Sequence, residues 1–356
     1  MKIFFLTASL GAGGAERVVS LLANSMVELG HQVEIICLKY NDIYYKVDQR
    51  VKVVLAMRQN SNRFFEIFWL RRYVNNNTPD VVIPFTEGVY CFTTFALLGT
   101  RIPIIASERL DPASMSTTRR VLKRLLLPYV DWMVVQTQSI KEHFPKKLQE
   151  KISIIYNPVN DEVFNRSITN DNKEDRIISI ARLYPQKNQQ LMIRAFAKVV
   201  EKYPNWKLYI FGEGPLRSNL ECLISQLKLD GKVLLPGRTN RVLEELDKSK
   251  IFCLTSDYEG MSNSMIEAIC MGLPVVTTNV SGANELIKNG KNGFIVNIGD
   301  ENDLINRLLT LMGSIDLQDK MSKNNQQMMG LFNIESILSQ WIQLIIKIVH
   351  YNKKKI

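Results

Sequence analysis

Histidine is the scarcest residue type in this sequence. Only three histidines occur in 356 residues, and His31, His143 and His350 are far from one another and from any other candidate catalytic residue in the chain. Histidine is the usual general base of nucleophilic catalysis and a common metal ligand. We therefore expect neither a histidine-activated nucleophile nor a histidine-bound metal ion.

Paired cysteines and long apolar runs are missing as well. The five cysteines, at positions 37, 91, 222, 253 and 270, lack the spacing of a zinc site or a disulfide framework. No uninterrupted apolar run reaches the ~18 residues that suggest a membrane-spanning helix. The first residues pass directly into a predicted strand and a glycine-rich turn, without the cleavage pattern of a secretory signal. These absences predict a cytoplasmic protein.

Positive charge is what the sequence has in excess. It contains 45 lysines and arginines against 35 aspartates and glutamates, a net charge of +10. Such a balance predicts an anionic partner, which is a nucleic acid, an acidic membrane surface or a phosphorylated substrate. Because the aromatic residues are not interleaved with basic ones in a recognisable nucleic-acid-binding module, we expect no nucleic-acid partner.

Short apolar runs alternate with helical patterns along the whole chain. This alternation predicts two α/β domains, each a doubly wound parallel sheet. The polar run 166–175 is the predicted boundary between them. We place the domains at 1–165 and 166–333, and assign 334–356 to a C-terminal helix.

The stretch 256–272, SDYEGMSNSMIEAICMG, contains the strongest functional signal. It follows a predicted strand, so Glu259 lies in a glycine-containing loop and Glu267 in the first turns of a helix. Backbone N–H groups at a helix start bind phosphate, and carboxylates accept hydrogen bonds from hydroxyl groups. A sugar nucleotide has this arrangement of groups. The spacing of Ser264 and Glu267 fits a capping box equally well, in which Glu267 only binds backbone N–H groups.

The context EGMSNSMIEA resembles the signature of the retaining glycosyltransferases of family 4. The resemblance implies the GT-B fold, in which two Rossmann-like domains face each other across a cleft and a C-terminal helix crosses back to the first domain. It also implies that Glu259 lies against the donor sugar and that Glu267 binds the ribose hydroxyls. The helices predicted near 301–312 and 334–351 resemble the tail that crosses back. The N–H groups expected to assist at the donor diphosphate are those of Gly260, Met261 and Ser262.

Arg182 and Lys187 follow the strand predicted at 176–181, where both side chains can reach one diphosphate. Their spacing alone favours two solvated cations, which are common after strands. The segment resembles the family's Arg-to-Lys segment, which implies that the two cations stabilise the charge that grows on the departing diphosphate. No Asp-x-Asp metal pair stands at a predicted strand end. We therefore expect that neither a metal ion nor another cofactor is required.

Further segments resemble parts of the family's donor site. Gly13 and Gly14 stand in the turn that approaches the donor diphosphate, although an ordinary strand-to-helix turn explains them as well. Gly212 stands in a turn that lines the cleft. Arg238 and Val242 belong to the segment that meets the nucleotide base, either uracil or guanine.

The first domain is expected to receive the acceptor. Glu108 and Arg109 follow a predicted strand. Relatives of the family often carry histidine in the place of Arg109. The resemblance therefore does not decide whether Arg109 contacts the acceptor or the donor phosphate. Two segments combine basic and apolar residues: the aromatic run 58–72, and a predicted helix with a basic stripe opposite an apolar one. The basic stripe comprises Arg119, Arg120, Lys123 and Arg124, and the apolar one Val121, Leu122, Leu125 and Leu126. Together with the net charge, these two segments predict salt-sensitive attachment to an anionic membrane surface. The aromatic run also fits a buried helix with charged ends, and the basic stripe also fits a solvent-exposed helix face.

The sequence therefore predicts a retaining hexosyltransferase. Its donor is a nucleoside diphosphate sugar, with UDP-sugar the first choice, and its acceptor is a hydroxyl of a saccharide, expected to be linked to polyprenyl diphosphate. The predicted pathway is that of a capsule, an O-antigen or a related polysaccharide, at the inner face of the cell membrane. Two alternatives share the fold: an epimerase would act on the donor without acceptor, and a non-catalytic nucleotide-sugar-binding protein would not turn it over.

Overall fold

The structure, a computed structural model, describes residues 1–39, 43–56, 63–109, 117–166, 168 and 173–353, without the side chains of 63, 117–120, 122 and 353. The chain divides into two compact units, one formed by Met1–Pro158 with Ile334–Ile356 and the other by Val159–Asn333. The first boundary thus falls at Pro158 rather than at 165. The segment after it belongs to the second unit, where the N–H of Val159 donates to the carbonyl oxygen of Phe332 at 3.0 Å.

The first unit contains a parallel sheet. Its strands are β1 (Lys2–Thr7), β2 (Gln32–Cys37), β3 (Lys52–Leu55), β4 (Val81–Pro84), β5 (Ile105–Ser107), β6 (Trp132–Val135) and β7 (Ile152–Ile154). They follow the orders β3-β2-β1-β4 and β5-β6-β7. Parallel bridges from Val82 to Ile104 and from Phe85 to Ser107 connect the two groups. The order reverses between β1 and β4, as in a doubly wound fold.

Helices cover both faces of this sheet. They are α1 (Gly14–Glu28), α2 (Arg63–Asn77), α3 (Glu87–Ala96), α4 (Thr117–Leu126), α5 (Gln138–Glu142), α6 (Lys146–Gln149) and the C-terminal helix (Ile334–Lys353). Because successive strand residues point to opposite faces, Phe5 packs with α1 and the C-terminal helix, and Phe4 packs on the other face with α2 and α3. Trp341 of the C-terminal helix is fully buried, and its ring stacks on Phe85 at 6.0 Å.

The second unit repeats this architecture. Its strands are β8 (Arg176–Ile180), β9 (Lys207–Phe211), β10 (Val233–Gly237), β11 (Ile251–Leu254), β12 (Val275–Thr278) and β13 (Gly293–Val296), in the order β10-β9-β8-β11-β12-β13. Its helices are α7 (Gln189–Lys202), α8 (Arg217–Gln226), α9 (Val242–Asp247), α10 (Asn263–Cys270), α11 (Ser281–Leu286), α12 (Glu301–Met312) and α13 (Ile315–Gln326). The order reverses between β8 and β11, and ligands of such sheets bind beyond the carboxyl ends of the strands at this point.

Helix α12 corrects one sequence prediction. It was expected to cross back to the first domain together with the C-terminal helix, α14 (Ile334–Lys353). Its buried residues Leu304, Leu308 and Leu311 instead belong to the core of the second unit, and α14 alone belongs to the first. The spacing of apolar residues identifies the buried face of a helix, but not the sheet that this face covers.

Helix α4 corrects a second prediction. Lys123, expected in the basic stripe, is buried, whereas Val121 and Leu125 of the apolar arc are 55% and 65% exposed. Arg124 is exposed, and the side chains of Arg119 and Arg120 lie outside the described residues. The reason is an ion pair in the interior, because Lys123 Nζ lies 2.9 Å from Oε2 of Glu108.

Candidate functional site

The predicted donor-site residues follow the two strands between which the order of the second sheet reverses. Strands β8 and β11 pair in parallel, so their carboxyl ends lie side by side. Arg182 and Lys187 follow β8, whereas Glu259 and Glu267 follow β11. The fold therefore places all four residues beyond the same edge of one sheet.

Lys187 and Glu259 are in direct contact. Nζ of Lys187 forms an ion pair with Oε2 of Glu259, and the hydroxyl of Ser256 donates to the same oxygen at 3.2 Å. The two side chains are only 11% and 16% exposed, so water screens their attraction less than at an open surface. The pair joins the cation predicted at the diphosphate to the carboxylate predicted at the sugar.

Two hydrogen bonds between the loops after β8 and β11 fix this contact. Nδ2 of Asn188 donates to Oδ1 of Asp257 at 2.9 Å, and Nε2 of Gln186 donates to the carbonyl oxygen of Tyr258 at 2.7 Å. Asn188 has a left-handed backbone, with φ of 43°, and its side chain caps α7. Sequence reasoning missed these residues, although their polar side chains directly flank Lys187 and Glu259.

Arg182 differs from Lys187 in its surroundings. It is exposed, and its guanidinium lies 5.0 Å from the centroid of the Tyr184 ring. Stacking on an aromatic ring restricts a guanidinium without neutralising it. Arg182 is therefore accessible to an anion at the carboxyl end of β8.

Glu267 does not belong to a capping box. Helix α10 begins at Asn263, and its N-cap is Ser262, whose hydroxyl accepts a hydrogen bond from the N–H of Met265 at 3.4 Å. A capping box requires glutamate or glutamine three residues after the N-cap, and this place is occupied by Met265. The capping-box alternative is therefore wrong. Glu267 lies further along the helix and is 2% exposed.

The segment before α10 is held by close backbone packing. Gly260, Met261 and Ser262 are buried. A Cβ atom on Gly282, in α11, would lie 2.3 Å from the carbonyl oxygen of Gly260, so only glycine allows this approach. The start of α10 carries the partial positive charge and the N–H groups of a helix N-terminus.

Gly212, Arg238 and Val242 follow β9 and β10, at the same edge of the sheet. Gly212 has a φ of +146°, and a Cβ atom there would lie 1.9 Å from the carbonyl oxygen of Ala181. Glycine therefore allows the loop after β9 to pack on the residue before Arg182. Arg238 is exposed, and Val242 begins α9.

Gly13 and Gly14 form the start of α1 in the first unit. Gly13 is the N-cap, and a Cβ atom on it would lie 2.0 Å from Oε2 of Glu16. The Glu16 side chain therefore folds back over the helix start, where the helix dipole favours a carboxylate.

Glu108 and Arg109 are both buried in the first unit. The Glu108 carboxylate has no exposed surface, and its Oε2 accepts hydrogen bonds from the Tyr90 hydroxyl and Lys123, each at 2.9 Å. Nε of Arg109 donates to the hydroxyl oxygen of Ser107 at 2.8 Å. Burial lowers the pKa of Arg109 to about 9, although the negative charge of Glu108 acts to raise it. In this conformation Glu108 supports its neighbours and is not open to an acceptor.

Among the described residues, no three histidine, cysteine, aspartate or glutamate side chains are grouped so that they could hold a metal ion. The same part of the chain contains no helix that is both long and apolar enough to cross a membrane.

Comparison with known proteins finds glycosyltransferase domains along most of the chain. The model of "Glycosyltransferase Family 4" matches residues 12–163, and that of "Glycosyl transferases group 1" matches residues 160–328. A GalNAc-alpha-(1->4)-GalNAc-alpha-(1->3)-diNAcBac-PP-undecaprenol alpha-1,4-N-acetyl-D-galactosaminyltransferase of Campylobacter jejuni is 29% identical over 98% of this chain and 99% of its own. The amylovoran biosynthesis glycosyltransferase AmsD of Erwinia amylovora is 24% identical over 94% and 96%.

The fold is also that of known glycosyltransferases. Anabaena Alr3699/HepE, crystallised with UDP and glucose, superimposes with a TM-score of 0.83 at 20% identity, over 97% of this chain and 99% of its own. The predicted GT-B fold class is confirmed. The two family models together reach from residue 12 to residue 328, so the chain combines a family 4 glycosyltransferase domain with a glycosyl transferases group 1 domain.

Proposed function

We propose that this glycosyltransferase moves a hexose from a UDP-sugar to a saccharide hydroxyl with retention of anomeric configuration and without a metal ion. The observation that carries the proposal is the ion pair between Lys187 and Glu259 beyond the strands where the second sheet reverses. A cation and a carboxylate in contact there are suited to the diphosphate and to the sugar of one donor.

The departing diphosphate needs positive charge, which Lys187 and Arg182 supply in this proposal. Lys187 is held by Glu259 and by the hydrogen-bonded loops around it, so little reorganisation is required when the leaving group develops charge. Arg182 is exposed and can approach from solvent. The backbone N–H groups of Gly260, Met261 and Ser262 lie at the start of α10 and add the helix dipole.

The two glutamates take different parts of the donor. Glu259 orients the sugar and stabilises an oxocarbenium-like transition state on the face that the acceptor also uses, and does not act as a covalent nucleophile. Glu267 is buried and is not engaged in a capping box, which suits a carboxylate that accepts hydrogen bonds from the ribose hydroxyls. Gly212, Arg238 and Val242 meet the nucleotide in this proposal, and Arg109 belongs to the acceptor side.

The acceptor is proposed to be a saccharide on polyprenyl diphosphate. Support comes from the Campylobacter relative, whose name specifies a PP-undecaprenol saccharide, and from the Erwinia relative, which is named for amylovoran biosynthesis. The pathway proposed for this chain is that of a surface polysaccharide such as a capsule or an O-antigen.

Such an acceptor requires contact with the inner face of the cell membrane. In α2, Phe64, Phe65 and Phe68 are 70%, 75% and 69% exposed, and α4 adds Val121 and Leu125. Exposed aromatic side chains on a chain of net charge +10 suit an anionic bilayer surface. We therefore propose a cytoplasmic protein that attaches peripherally to the membrane.

Turnover with separated substrates tests the proposal. The purified protein is incubated with a panel of UDP-sugars, with and without polyprenyl-diphosphate-linked saccharides, and sugar transfer and sugar isomers are measured by chromatography. Transfer that depends on the acceptor and is lost in Lys187→Ala is expected. Isomerisation of the donor without acceptor would favour an epimerase, and UDP-sugar binding without any turnover would favour a binding protein.

A further inference from the structure

The guanidinium of Arg109 lies where the carboxyl ends of neighbouring strands meet. Arg109 follows β5, Phe85 follows β4 and Asn157 follows β7. The guanidinium lies 4.6 Å from the centroid of the Phe85 ring, and its Nη1 donates to Oδ1 of Asn157. The carboxyl ends of parallel strands are the usual place for ligands in open α/β sheets.

The hydrogen-bond acceptors around Arg109 are neutral. They are the hydroxyl of Ser107, the side-chain oxygen of Asn157 and the side-chain oxygen of Gln136, which accepts from Nη1 at 3.3 Å. One oxygen of Glu108 accepts a hydrogen bond from the backbone N–H of Arg109, and the other accepts from Tyr90 and Lys123. In the part of the chain that the structure describes, Nη2 of Arg109 has no hydrogen-bond partner, and the residue is only 7% exposed.

A buried, charged N–H group without a partner is unfavourable. Burial lowers the pKa of Arg109 to about 9, so the guanidinium still carries its charge at neutral pH. An anionic oxygen would supply the missing hydrogen bond and a second negative charge beside that of Glu108, which already pairs with Lys123. Charge-assisted hydrogen bonds are the strong ones.

We infer that Nη2 of Arg109 binds an anionic oxygen of the acceptor, either of a phosphate group or of a carboxylate on an acidic sugar. The assignment to the acceptor rests on the proposed function, in which the second unit binds the donor, because Arg109 belongs to the first unit. Arg109 thereby selects acceptors that carry a negative charge.

Anion binding in the presence of saturating UDP tests this inference, because UDP occupies the proposed diphosphate site. Sodium phosphate, sodium glucuronate and neutral glucose are titrated at constant ionic strength and followed by calorimetry. We expect saturable binding of phosphate or glucuronate but not of glucose, and at least tenfold weaker binding in Arg109→Gln. The matched control is Arg194→Gln, which removes the same charge from an exposed position on α7 and is expected to bind like the parent. The phosphate and glucuronate arms separate a diphosphate source from an acidic sugar.

Equal anion affinity in the parent and in Arg109→Gln, or no saturable binding of either anion by the parent, would overturn the inference. Arg109→Lys keeps the positive charge but loses the forked N–H donors of the guanidinium. It provides a second test if Arg109→Gln melts at a lower temperature than the parent. Anion affinity of Arg109→Lys equal to that of the parent would again count against the site. UDP binding is measured in each protein. Its retention in Arg109→Gln separates this site from the donor site, whereas its absence from the parent would refute the proposed function instead.

Discussion

Lys123 and Glu108 form an ion pair in the interior of the first unit, with 2.9 Å between Nζ and Oε2. The hydroxyl of Tyr90 donates to the same carboxylate oxygen at 2.9 Å. The pair connects α4 to the loop after β5, so the helix with exposed Val121 and Leu125 is anchored beside Arg109.

Replacement of Lys123 by methionine should destabilise the protein strongly. Lys123→Met leaves the Glu108 carboxylate buried without its cation, and removal of one partner of a buried pair typically costs about 3–5 kcal/mol. Urea denaturation measures the change. Lys123→Met combined with Glu108→Gln should recover a large part of the loss, and the exposed Arg124→Met should change stability by less than about 0.5 kcal/mol. A loss below about 1 kcal/mol in the single variant would show that the pair contributes little.

Lys187→Ala and Arg182→Ala should each lower turnover by about 10²-fold or more, because each removes a preorganised charge from the leaving diphosphate. Initial rates with saturating donor and acceptor measure the effect. Lys198→Ala serves as control, since Lys198 lies on α7 with its side chain 64% exposed. Turnover near that of the parent in either Lys187→Ala or Arg182→Ala would remove the assigned diphosphate role.

Substitution of the two glutamates should separate donor binding from catalysis. Glu267→Ala should mainly raise the KM for the donor, because contacts to the ribose are alike in the ground state and the transition state, whereas Glu259→Ala should mainly lower kcat. Steady-state kinetics of both variants provide the measurement. The isosteric Glu267→Gln and the exposed Glu201→Ala control for folding, and a reversed pattern of KM and kcat would reject the two roles.

Attachment to membranes should depend on the phenylalanines of α2. Phe65→Ser combined with Phe68→Ser should reduce co-flotation with anionic liposomes several-fold, because both side chains are largely exposed and suited to the bilayer interface. Ile315→Ser is the control, since Ile315 is 67% exposed in the second unit. Binding should be weaker to neutral lipids and at high salt. Equal binding to both lipids, or none to either, would contradict the membrane proposal without affecting the transferase assignment.

The sequence predicts the elements of the second unit well, because strands and helices alternate there with clear turns between them. It therefore locates Arg182, Lys187 and Glu259 in loops after strand ends and Glu267 in the helix that follows. It does not predict the ion pair of Lys187 with Glu259, since contact between side chains on two loops depends on the order of the strands.

Helix α4 shows a different limit of sequence reasoning. Its basic and apolar residues lie on opposite arcs, and the spacing does not say which arc faces the protein. Lys123 is buried because Glu108 is available in the interior. This partner comes from another element of the fold, so the helical pattern alone does not predict that Lys123 is buried.

The position of α14 has a consequence for the order of events during synthesis. The helix contributes the buried Trp341, which stacks on Phe85, yet it follows the whole second unit in the chain. Domains whose residues are contiguous can fold as they leave the ribosome. Here the part of the first sheet's face that α14 covers stays exposed until α14 is made, so the nascent chain has a period in which this apolar surface is open to chaperones or to aggregation.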